Sequence, residues 1–148
     1  MNVFEKYLKD LKEIVNLNFK SLKLETLSNF DGIIFETPPL EFEFDLSSNI
    51  ALVLAKKNKL NSINLANEIK RLILKNTKDF SEIIVAGPGF LNFKLNNDTK
   101  KKIIKGILKA ENKYGSNFKN KKYNIEFVSA NPTGPMHVGH CRGAIFGD

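Results

Sequence analysis

The triplet Gly87-Pro88-Gly89 parts two apolar runs, Glu82–Ala86 (EIIVA) and Phe90–Leu95 (FLNFKL), and forces the chain to double back. Runs of this kind around a Gly/Pro turn predict a strand and its returning partner. Other segments must then cover that pair. Val3, Phe4, Tyr7, Leu8, Leu11, Ile14 and Val15 recur at helical spacing, which predicts an amphipathic helix over 2–18. Gly32–Glu36 (GIIFE), closed by Pro38-Pro39, reads as a short strand. Leu40, Phe42, Phe44 and Leu46 alternate with Glu41, Glu43 and Asp45, the period of a half-buried strand. Ser47 or Ser48 is suited to cap a helix running to about Lys57. Asn61-Ser62 repeats that chemistry before Ile63, Ala66, Ile69, Leu72 and Ile73, a further amphipathic helix. Asn97 or Asp98 opens a fourth, with Ile103, Ile104, Ile107 and Leu108 expected inward, Lys100, Lys101, Lys105 and Lys109 outward, and Gly115 as its stop. Four helices and about four strands make residues 1–115 a small α/β domain.

A polar, lysine-rich connector follows at 116–122 and marks the expected domain boundary. Beyond it, Tyr123–Val128 (YNIEFV) reads as a strand, Ser129–Pro135 as a loop, and a helix is expected from about His137. One strand and one short helix cannot build a parallel sheet, because a parallel partner needs a crossover and another strand. Residues 123–148 are therefore expected to begin a second domain that the chain does not complete.

The formal net charge of +7 is not spread evenly. Residues 98–122 hold nine lysines against Asp98 and Glu111, while the remainder nearly balances. A localised basic stripe is the footprint of a polyanion binder; on an amphipathic helix it is also the ordinary solvated face. With 42% apolar and 26% charged residues, the chain is not a disordered tail. Cys141 is the only cysteine, which excludes an intramolecular disulfide framework and makes a reducing, cytoplasmic compartment the expectation. No apolar run approaches the roughly 20 residues of a membrane span. Glu5, Lys6, Asp10 and Glu13 near the N-terminus fit neither a signal peptide nor an acid-poor transit peptide.

The string EFVSANPTGPMHVGHCRG (126–143) runs strand, Gly/Pro loop, helix start. In open α/β sheets ligands sit beyond the carboxyl ends of strands, against helix N-termini whose free amides attract phosphate. His137 and His140, three apart, share one helix face and can address one anion. Gly139 between them leaves room for a flat ligand near the backbone, Gly134 permits an unusual conformation, and Pro132 and Pro135 stiffen the entry. Phosphoryl or nucleotidyl transfer gains mainly from donors positioned around phosphorus. Glu126 and Asn131 would suit a cationic ammonium or guanidinium substrate. A His-x-x-His pair alone is often mere surface, and zinc helices prefer the i, i+4 spacing, so no metal is expected. Cys141 is more simply a small packed residue than a nucleophile.

SANPTGPMHVGHCRGAIFGD (129–148) closely resembles the signature of arginyl-tRNA synthetase, a class I aminoacyl-tRNA synthetase, with HVGH at 137–140 in place of the class "HIGH" motif. FDLSSNIALVLAK (44–56) and VAGPGFLNFKL (85–95) resemble stretches of that family's N-terminal additional domain. Met136 and Cys141 stand where Leu and Gly are more usual. The resemblance implies an α+β additional domain followed by the first strand and helix start of a Rossmann-type catalytic domain. It implies ATP-dependent activation of arginine to arginyl-adenylate and transfer to tRNA(Arg), with Mg2+ accompanying ATP and no tightly bound cofactor. His137 and His140 would be catalytic; His137, Gly139 and His140 would meet ATP; Glu126, Ser129, Asn131 and His137 would line the arginine pocket. Phe90 and Asn92 match positions that stack on and hydrogen-bond a tRNA D-loop base, with Asp45 and Asn49 as polar positions nearby. An aromatic beside an amide suits unpaired RNA bases on physical grounds as well. Phe90 could equally be core, and Asn92 ordinary strand polarity. The expectation is thus an arginine–tRNA ligase, monomeric in full-length form, whose N-terminal fragment is inactive alone. The alternative is a free-standing RNA-binding module.

Overall fold

Asn2 starts the first helix by a reciprocal cap: its Oδ1 accepts from the Glu5 amide at 2.8 Å, and the Glu5 carboxylate accepts from the Asn2 amide at 3.3 Å. This computed structural model describes residues 2–25, 30–39, 41, 43–114, 122–131 and 133–147. Helix α1 (Val3–Leu17) buries Tyr7, Leu11 and Val15, one residue per turn along a single stripe. Two short strands follow, β1 (Phe35–Glu36) and β2 (Leu46–Ser48), then helices α2 (Ile50–Asn58) and α3 (Ser62–Asn76). The hairpin is β3 (Phe80–Ala86) and β4 (Phe90–Leu95), and α4 (Asn97–Ala110) leaves it directly. Helix α5 (Val138–Gly147) is the last element. The chain divides into two compact units, Met1–Ser116 and Asn117–Asp148.

The sheet is antiparallel throughout, in the order β1-β2-β4-β3. Alternation along β4 sends Leu91, Phe93 and Leu95 to the core and Phe90, Asn92 and Lys94 to the opposite face. One extra residue, Ser81, interrupts the β3–β4 ladder between Phe80 and Glu82 and lets Phe80 keep its place beside Phe93. The core gathers Val15, Ile50, Leu54, Ile69, Ile73, Leu91 and Phe93 from α1, α2, α3 and β4.

The helices at 2–18, to about Lys57 and after Asn61, and the hairpin, all form where expected. Other expectations change. Of the strand expected over 32–36, only Phe35–Glu36 pairs. The alternation at 40–46 does not extend β2 upstream of Leu46. Asp45 takes the Leu95 amide with its own carboxylate at 2.8 Å, so the ladder stops there; Leu40 and Phe42 lie outside the described residues. Ser47 and Ser48 belong to β2 and Asn49 is the residue at the start of α2, but Ser48 Oγ does accept from the first amide of that helix, Ile50, at 3.4 Å. Asn96, one residue earlier than expected, caps α4 through the Thr99 amide at 2.8 Å. The apolar side of α4 is not inward: Ile104 is 55% and Leu108 69% exposed, and only Thr99 is buried. Ile103 alone among the four packs on the core, because α1, α2 and α3 already cover it. The strand expected at 123–128 is absent: a strand needs a hydrogen-bonded neighbour, and these residues have no described one. Gly115 as a helix stop, and all of the 116–122 connector except Lys122, lie outside the described residues.

Candidate functional site

Gly89 adopts φ +127°, and a Cβ there would fall 3.1 Å from both Cβ and carbonyl oxygen of Ser62. Glycine is therefore required, and Ser62 Oγ donates to the Pro88 carbonyl at 2.5 Å. The turn is thus pinned to the first residue of α3, which fixes Phe90 at the head of β4. Two residues on, Asn92 lies on the same face. The register sets Ser47 of β2 directly opposite it, and Ser47 Oγ donates to Asn92 Oδ1 at 2.8 Å. Phe90, Asn92, Ser47, Pro38, Pro39 and Gly87 border a cleft of about 320 Å³. Phe90 is half-buried and has one side toward this cleft, a mixed position between core and platform.

Asp45 and Asn49, expected nearby, do not line it. Asp45 accepts from the Leu95 amide and pairs with Lys100 Nζ at 2.9 Å. Asn49 accepts from the Ile34 amide at 3.0 Å and donates to the Gly32 carbonyl at 2.9 Å. Both side chains hold loops. Sequence reasoning missed Ser47, Pro38 and Pro39 as bordering residues. Ser47 was one of two serines offered as a helix cap, and only the β2–β4 register reveals it as Asn92's partner.

The second candidate region lies in the unit Asn117–Asp148. Val138 is the first helical residue of α5, so His137 sits at the cap. Its Nδ1 accepts from the Gly139 amide at 3.1 Å, and His140 Nδ1 accepts from the His137 amide at 3.3 Å. The two imidazoles stack, with centroids 3.9 Å apart and planes 25° from parallel. A Cβ on Gly139 would lie 3.0 Å from His137 Cε1, so the open side of Gly139 faces that ring. Phe127 rests on α5: a Cβ on Gly147 would come 2.5 Å from its Cδ1, and one on Gly143 3.1 Å from its carbonyl oxygen. Glu126, Ser129, Asn131 and Cys141 are exposed. None of the first three forms a described hydrogen bond with either histidine. Pro132 lies outside the described residues. The arrangement offers two imidazoles and helix-start amides to an anion.

Elsewhere, Lys101, Lys102, Lys105 and Lys109 stand exposed on α4, while Lys100 is drawn to Asp45. Tyr7 donates to Asp79 Oδ2 at 3.1 Å, and Lys6 lies 3.0 Å from Asp10 and 3.4 Å from Asp79. Burial, then the Asp79 carboxylate, raises the Tyr7 phenol well above its ordinary pKa. This knot ties α1 to the start of β3. Among the described residues no group of three or more His, Cys, Asp or Glu side chains could hold a metal ion, and no helix is long and apolar enough to cross a membrane.

The family model for the arginyl tRNA synthetase N terminal domain matches residues 6–95. The arginine–tRNA ligase of Pelagibacter ubique (strain HTCC1062) is 43% identical over 150 residues, covering 100% of this chain and 26% of that protein. That of Bartonella quintana (strain Toulouse) is 44% identical over 151 residues, again covering 100% and 26%. The chain spans about a quarter of the length of the curated relatives it matches. A crystal structure of arginyl-tRNA synthetase from Plasmodium falciparum shares the fold with TM-score 0.50 at 23% identity, covering 71% of this chain and 19% of that one. With more than half of its residues inside the matched region, the chain belongs to the arginyl-tRNA synthetase N-terminal domain family.

Proposed function

We propose that this chain forms the N-terminal part of an arginine–tRNA ligase acting in the cytoplasm. In this reading the whole protein joins arginine to ATP, which arrives with Mg2+, as arginyl-adenylate, and then transfers the arginyl group to the terminal adenosine of tRNA(Arg). His137 and His140 meet the ATP phosphates with Gly139 beneath the nucleotide; Glu126, Ser129, Asn131 and His137 face arginine. Phe90 stacks on a D-loop base whose edge Asn92 addresses. The observation that carries the reading is the imidazole pair at the start of α5. Charge builds on the phosphate oxygens during transfer, and donors fixed beforehand stabilise it. The bonds that the two rings now make to helix-start amides are ones that an anion can take over.

Replacing His137 or His140 by Ala in the full-length protein should lower arginine-dependent ATP–pyrophosphate exchange by about 10²–10³-fold. Undiminished exchange in both variants would overturn the reading. The 148-residue chain by itself should form no arginyl-tRNA, because electrostatic catalysis needs an enclosed site and Glu126, Ser129 and Asn131 stand in solvent. A second reading, an RNA-binding module without catalysis, draws on the exposed lysines of α4. Salt-dependent tRNA binding that survives deletion of residues 123–148 would favour it.

A further inference from the structure

We infer that Ser47 fixes the Asn92 amide so that the cleft presents a hydrogen-bond donor, and that the base it receives is read at an acceptor atom. The inference rests on the base-reading role proposed above and adds its polarity. Asn92 is 4% exposed and Ser47 5%, and they face each other across the β2–β4 ladder. An asparagine amide can be held in either of two orientations, and a serine hydroxyl can serve either by donating or accepting. Here Ser47 Oγ donates to Oδ1 at 2.8 Å, which commits the carbonyl end inward. Nδ2 has no described acceptor. Since no fully enclosed side-chain nitrogen or oxygen lacks a partner among the described residues, this nitrogen reaches the open space of the cleft that Asn92 borders.

The consequence is chemical. Stacking on Phe90 accepts any base, because every base has a π-face. At the atom that Asn92 meets, an N–H donor favours a carbonyl oxygen or an unprotonated ring nitrogen over an exocyclic amino group, although the Glu36 carboxylate also lines the cleft. Ser47 is then a positioning residue: it decides which atom of Asn92 faces the base. With Ser47 accepting instead, Oδ1 would face the cleft and the preference would invert.

The test uses the 148-residue chain and tRNA(Arg) transcripts in which each D-loop base in turn is made abasic, with dissociation constants measured at one salt concentration. For the unmodified chain, one position should carry a penalty. Ser47→Ala should shrink that penalty by about 3- to 10-fold, the worth of one oriented hydrogen bond, while Ser47→Thr, which keeps the hydroxyl, should retain it. Asn92→Asp keeps the bond from Ser47 but replaces the donor by an acceptor, and should weaken the intact transcript by at least as much. The slope of affinity against salt should stay the same in Ser47→Ala and Ser47→Thr, which change no charge and leave phosphate contacts untouched. A full penalty retained by Ser47→Ala, or wild-type affinity in Asn92→Asp, would overturn the inference alone. No penalty at any position with the unmodified chain would overturn base reading and this inference together. Should Ser47→Ala fail to fold, Asn92→Asp decides the matter.

Discussion

Asn92 and His140 carry the chemistry proposed for their two units, and they are held in opposite ways. Asn92 is fixed by Ser47, 45 residues away in the chain, inside a sheet whose far face is the hydrophobic core. His140 is fixed by His137, three residues away, through one hydrogen bond and a ring stack. The first arrangement exists only when the unit folds; the second needs little beyond one turn of helix. A side chain held by non-local contacts is oriented before any ligand arrives. One held by its own helix turn takes its orientation from local contacts alone.

Substitutions put this contrast to the test. The largest effect belongs to Phe93→Ala, which removes a side chain 1% exposed and tilted against Phe35 and Phe80 at 5.3 and 5.0 Å. Urea unfolding should register a loss of about 3–5 kcal/mol; a loss below about 1 kcal/mol would show that the sheet is not organised around this ring. Gly89→Ala should cost about 1–3 kcal/mol, through its positive φ and the crowding by Ser62. It should also weaken tRNA binding by displacing Phe90, and unchanged binding would separate the turn from the cleft.

Tyr7→Phe should cost about 1 kcal/mol at neutral pH. Its pH dependence has a definite sign. The folded state raises the phenol's pKa, so the Tyr7 contribution is fully present below pH about 10 and lost as pH climbs through the folded value. Stability of the unmodified protein should therefore fall more steeply above pH about 10 than that of Tyr7→Phe, measured as thermal midpoints across an alkaline series. Equal slopes would remove the phenol from the account. The smallest effect is expected from His137→Ala, which should change the unfolding free energy by under about 0.5 kcal/mol because the residue is exposed. A large shift would erase the distinction between the two modes of support.

Periodicity revealed α1 and α3, each of which buries a full stripe, and the apolar runs either side of Gly87-Pro88-Gly89 revealed the hairpin. Periodicity misjudged α4, whose Ile104, Ile107 and Leu108 follow the same spacing yet stand exposed. Spacing states which residues share a face, but not whether anything is left for that face to cover. The strand expected at 123–128 failed for a related reason, since its hydrogen-bonding partners would have to come from another strand. At the candidate site, Phe90, Asn92, His137 and His140 were legible as residue types suited to bases and phosphates. Ser47 was not, because its partner lies across a register that sequence does not display. Asp45 and Asn49 were read as polar tRNA-binding positions near Phe90 and Asn92; sequence did not show that their side chains also bond main-chain groups and Lys100.

The extra residue at Ser81 carries a lesson about length variation. Its hydroxyl donates to the Lys94 carbonyl at 3.2 Å, anchoring the irregularity to the neighbouring strand. Because side chains in a strand alternate, deleting Ser81 would act as a half-step, turning Phe80 out toward water or driving Glu82 into the oily interior. A gap of one residue there, harmless on paper in many loops, would be a frame error in three dimensions.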